Sequence, residues 1–168
     1  GNLAQEALIL INYGVFYLDN FDFEKAKECW INSEKIVSAL GDRDRIGIIL
    51  NNLGEVYIQT CDFQNAYDSL NKSLNIFNEL KNKEEALSIL YLLGKLWFTI
   101  GESDELKKII NQYEYYLVTE ENNSEKNNLI FNYLNLLLKI NANESFNLKS
   151  DLSLILEKAK SISEPNLY

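Results

Sequence analysis

The chain has 168 residues, 46% of them hydrophobic and 24% charged, values that suit one folded domain or a short repeat array. Its formal charge is −9, which opposes binding to phosphate backbones or anionic lipid heads. It contains no histidine, which excludes a Ser-His-Asp triad, a Cys-His pair and histidine metal sites.

One proline and seven glycines leave few helix breakers, so long helices joined by short turns are expected along the chain. The first stretch, "LAQEALILINYG" at 3–14, is already inside an amphipathic helical pattern, as expected of a piece cut from a longer protein. A second helix carries Ala26, Cys29 and Trp30, and "LGD" at 40–42 closes it, with Gly41 able to take the left-handed conformation. Asp44 is expected to cap the next helix, which runs to about Gln59 with Ile46, Ile49, Leu50, Leu53, Val56 and Tyr57 as its apolar stripe. Thr60, Cys61 and Asp62 make a turn, and Asp62 caps a helix bearing Phe63, Ala66, Leu70, Leu74 and Phe77 at three- and four-residue spacing. "KNK" at 81–83 leads into a third pair, and "TEENNSEKNN" at 119–128 reads as a longer connection. A last helix, roughly 147–162, turns Leu148, Leu152, Ile155, Leu156 and Ala159 inward and Ser150, Ser153, Glu157 and Lys158 outward, a polar face suited to capping a stack. No run of about 18 apolar residues and no signal peptide is visible.

These elements repeat at an offset of forty. Gly14 matches Gly54 and Gly94; Tyr17 matches Tyr57 and Trp97; Asp22 matches Asp62 and Glu102; Ala26 matches Ala66 and Leu106. Ser33 pairs with Ser73 and Ile36 with Ile76. In a fourth copy the signature fades, with Leu134, Leu137 and Phe146 at the glycine, aromatic and alanine positions. Glycine inside a helix costs about 1 kcal/mol relative to alanine. Three of them in step imply a partner helix crossing closely, with Ala26 and Ala66 as the reciprocal small positions.

This pattern resembles the tetratricopeptide repeat (TPR), whose helix pair carries a small residue in the first helix and alanine in the second. The forty-residue period resembles the long repeats of kinesin light chains and of bacterial peptide-sensing regulators. The resemblance implies an all-α fold, an α-α superhelix of stacked antiparallel helix pairs in about four repeats (3–40, 43–80, 83–118 and 124–162) forming a single array. It also implies that the first helix of each pair lines a concave groove.

Catalysis finds no support in the residues. The glycines are scattered rather than gathered in a phosphate loop, and Glu84-Glu85, Asp104-Glu105 and Glu120-Glu121 fall at helix starts or in a connection. No enzyme, cofactor or metal is expected. Cys29 and Cys61 read as structural and fit a reduced, cytoplasmic setting. The resemblance instead points to offsets from the first-helix glycine. Two residues before it stand Asn12, Asn52, Leu92 and Asn132; three before, Ile11, Asn51, Tyr91 and Phe131. One after it come Val15, Glu55, Lys95 and Asn135, and five after, Asp19, Gln59, Thr99 and Lys139. Asparagine offers both a donor and an acceptor to a peptide backbone. The expected groove residues are therefore Asn12, Asn51, Asn52, Glu55, Gln59, Tyr91, Lys95, Asn132 and Asn135, and the expected partner is a protein: an extended peptide or a helix. The alternative is a regulatory segment of a multidomain signalling or transcription-regulating protein, acting by intramolecular docking or self-association. A chaperone C-terminal tail is not expected, since of the clamp positions Ile11, Val15, Asn52, Ser88 and Leu92 only Asn52 has the required side chain.

Overall fold

The computed structural model describes residues 2–118 and 124–142, together with residues 153, 156 and 157. Among them are seven helices and no strand: α1 (Leu3–Asp19), α2 (Phe23–Leu40), α3 (Arg43–Gln59), α4 (Phe63–Glu79), α5 (Lys83–Ile100), α6 (Ser103–Val118) and α7 (Glu125–Asn141). The expected helix over 147–162, with the alanine-position Phe146, lies outside the described residues, as do residues 119–123 of the longer connection.

The joints between helices are one device used over and over. Phe21, Gly41, Cys61, Lys81 and Gly101, spaced by twenty, all have positive φ, between 57° and 91°. At each, the left-handed residue donates its N–H to a carbonyl three residues back, and the following residue donates to one five back, as in Asp42 to Val37 at 3.0 Å and Asp62 to Tyr57 at 2.8 Å. That pair of bonds satisfies carbonyls at the end of the helix. The next residue then starts the following helix. Asp22, Asp42, Asp62 and Asn82 each accept from the backbone N–H three residues on, at 3.1–3.4 Å. Each such cap is worth about 1 kcal/mol. Asp42, not the expected Asp44, is therefore the cap of α3; it follows the left-handed Gly41 directly, which leaves Asp44 inside the first turn.

The chain divides into two compact units, residues 1–92 and 93–168. In the first, α1 packs on α2, α3 on α4, and α2 on α3. Ala7, Ile11, Ala26, Trp30, Val37, Ile49, Leu53 and Val56 make one buried cluster. The serines that matched at forty-residue spacing hold each hairpin from inside. Ser33 donates to the carbonyl of Ala7 at 2.9 Å, and Ser73 donates to that of Gly47 at 2.7 Å, both buried. Trp30 adds a bond from Nε1 to the carbonyl of Ile11 at 3.1 Å.

The helical glycines act differently from expectation. A Cβ on Gly14 would stand 2.2 Å from Trp30 Nε1, and one on Gly54 would stand 2.6 Å from Leu70 Cδ2. Large side chains of the partner helix fill these sites, so each glycine is a socket rather than a point of bare backbone crossing. In the second unit, α6 packs on α7, and Tyr113 stacks on Phe131 with ring centroids 6.4 Å apart. There the socket of Gly94 is filled chiefly by Leu134 of α7, 2.5 Å from the Cβ position, with Leu106 of α6 at 3.7 Å.

Candidate functional site

Burial sorts each first helix into faces. On α3, Gly47 and Gly54 turn toward Phe77 and Leu70 of α4, while Ile49, Leu53 and Val56 join the cluster that includes Ala26, Trp30 and Val37 of α2. Outside that cluster Asn52, Glu55 and Gln59 recur at three- and four-residue spacing and are half-buried or exposed, while Ile48, four residues before Asn52, is half-buried and packs against the cluster. The same positions on α1 are Leu8, Asn12, Val15 and Asp19, all exposed. Since α1 and α3 touch, two consecutive first helices of this unit leave the same stripe uncovered.

Of the expected groove residues, Asn12, Asn52, Glu55 and Gln59 lie on this stripe. Asn51 sits at its edge, half-buried, with Oδ1 enclosed and accepting no hydrogen bond. Its counterpart in the first copy, Ile11, is buried. Phe131, at the same offset in the fourth copy, is engaged with Tyr113, so the position three before the glycine leans toward the interior. Tyr91 and Lys95 are half-buried on α5, while Leu92 between them is buried. In the second unit Asn132 is exposed on α7, and Asn135 donates its Nδ2 to the carbonyl of Phe131 at 3.0 Å, within its own helix. Sequence reasoning passed over Leu8, the exposed apolar member of the stripe on α1. Its spacing of four from Asn12 was the available signal.

Away from the stripe, Lys25 bonds the Asp22 carboxylate at 2.6 Å, holding that carboxyl below its usual range, and Lys25 is raised in return. Burial, with some help from Glu28, pushes the Cys29 thiol up. Among the described residues no group of three or more His, Cys, Asp or Glu side chains is placed to hold a metal, and no helix is long and apolar enough to cross a membrane.

A family model for the tetratricopeptide repeat matches residues 5–79, the span of the two hairpins with the full glycine, serine and alanine signature. Residues 5–79 are tetratricopeptide repeats. TPR segments generally serve as protein–protein interaction modules, stacking helix pairs so that one surface is offered to a partner. Among solved structures, the chain is similar to BtubC (BKLC) from P. vanneervenii, with a TM-score of 0.73 and 17% identity over 96% of this chain and 67% of that one. At that identity the likeness is one of fold. No curated protein matches the chain.

Proposed function

We infer that this TPR chain is a non-enzymatic binding module that holds an extended peptide along the uncovered stripe of its first helices. The observation that carries the reading is positional. Two successive first helices, α1 and α3, leave the same positions at least half open, and each puts an asparagine at the same place, Asn12 and Asn52. A primary amide meets both the N–H and the C=O of an extended backbone, whose own groups have no internal partners. Leu8 gives such a peptide apolar footing, while Glu55, Gln59 and Asp19 select side chains by charge and hydrogen bonding.

Selection of a displayed random-peptide library on the chain, followed by titration of the recovered peptides, tests this. Asn52→Ala is expected to weaken those peptides about tenfold, the loss of one to two backbone hydrogen bonds at about 1 kcal/mol each. Its melting temperature should stay within a degree or two, because Asn52 is half-buried and serves no cap. Peptides that bind Asn52→Ala as tightly as the parent would overturn the reading.

A further inference from the structure

The stripe on α1 and α3 carries charge of one sign. Asp19 of α1 stands at the register position where α3 has Gln59, and Glu55 of α3 stands where α1 has Val15. The position of Asp19 stays exposed in the later copies, as Gln59 and Thr99, and Glu55 stays half-open although α1 packs beside α3. Among the described residues neither carboxylate has a cationic partner. α1 has no lysine or arginine, and those of α3, Arg43 and Arg45, are taken by Glu79 and Asp42. Both carboxylates also stand where the fold alone disfavours them. Asp19 is the last residue of α1, where the free carbonyls repel an anion, and no basic residue shares that turn. Glu79, in the same place on α4, is neutralised by Arg43 at 2.6 Å. Glu55 lies within its helix, partly removed from water, a cost that no ion pair offsets.

We propose that the peptide held on the stripe is basic, with one lysine or arginine side chain against Glu55 and another against Asp19. This names the chemistry of the ligand and rests on the peptide reading above. Each incoming cation supplies the counter-charge its carboxylate lacks, in a charge-assisted hydrogen bond. Glu55 carries the larger share, because it is less exposed than Asp19 and so less screened by water. In the third copy Lys95 takes the register position of Glu55, so the preference belongs to α1 and α3. Grip and selection then fall to different residues. Asn12 and Asn52 hold any extended backbone, while Glu55 and Asp19 choose among side chains.

The probe is a displayed library of random peptides of about nine residues, long enough to cross two helices. Selection on the parent chain should enrich lysine and arginine about twofold or more over the input and deplete aspartate and glutamate. A synthetic copy of the most enriched peptide should lose about fivefold or more in affinity on Glu55→Gln, and less on Asp19→Asn. Glu28→Gln removes the same charge from an exposed position on α2 and should leave binding unchanged, which separates the stripe from the general attraction of an acidic protein. Selection on Glu55→Lys should return peptides with an acidic residue in place of a basic one. The amide variants should melt with the parent; if Glu55→Gln does not, the Asp19→Asn titration decides. Neutral or acidic peptides that still depend on Asn52 would overturn this proposal and leave the peptide reading standing, while recovery of no peptide overturns both. Basic peptides that bind Glu55→Gln as tightly as the parent, or lose as much on Glu28→Gln, overturn the proposal as well.

Discussion

Three small residues show how a sequence pattern and its physical cause can part company. The equal spacing of Gly14, Gly54 and Gly94 announced a tight contact, and the contact is there, but it is made by Trp30, Leu70 and Leu134 rather than by approaching backbones. Spacing reports that a side chain is unwelcome; it does not report what takes its place. Gly14→Ala puts a methyl group against an indole that is itself fixed by its bond to the Ile11 carbonyl. Overpacking of this kind costs about 1–3 kcal/mol, partly offset by the better helix propensity of alanine. A net loss of about 2 kcal/mol in urea unfolding is expected. The two cysteines separate at this scale as well. Cys61 is exposed in its turn, whereas Cys29 is half-buried and its thiol is held up by desolvation. The thiolate is the reactive form, so a raised pKa lowers its share at neutral pH. Maleimide labelling followed by mass spectrometry should modify Cys61 first, and the Cys29 rate should go on climbing into more alkaline solution than an ordinary thiol requires.

At the scale of the element, the forty-residue period conceals one of twenty. Helix, left-handed residue and cap recur at 20–22, 40–42, 60–62 and 80–82, and the left-handed residue appears again at Gly101. Gly41 and Asp62 were legible because their residue types advertise the role. Phe21, Cys61 and Lys81 were not, since nothing in those side chains favours a positive φ; tertiary packing and the bonds to the preceding turn hold them there. The left-handed region costs a non-glycine residue about 1 kcal/mol. Lys81→Gly should therefore raise stability by several tenths to about 1 kcal/mol, less the entropy glycine adds to the unfolded chain, and this is measurable as a shift in the urea midpoint. The misplacement of the α3 cap onto Asp44 has the same root. Asp42 and Asp44 are equally good caps by type, and only the closing geometry of Gly41 chooses between them.

For the whole molecule, the repeat is what turns sequence into surface. The same offset that finds hairpins also states which face of each first helix is buried in its own pair, which is covered by the preceding helix and which stays open. The fold class was therefore readable before any coordinates, as were Asn12, Asn52, Glu55 and Gln59 on the open stripe. Asn51 was placed less well, because one residue along a helix is a turn of about 100°, enough to carry a side chain from the open face to the edge of the interior. The central claim is that the open stripe of α1 and α3 receives the ligand. Amide hydrogen exchange and chemical-shift mapping with a library-selected peptide test it most directly. Perturbation should run along residues 8–19 and 48–59 and be lost in Asn52→Ala, whereas a footprint on the outward faces of α2 and α4 would contradict the account.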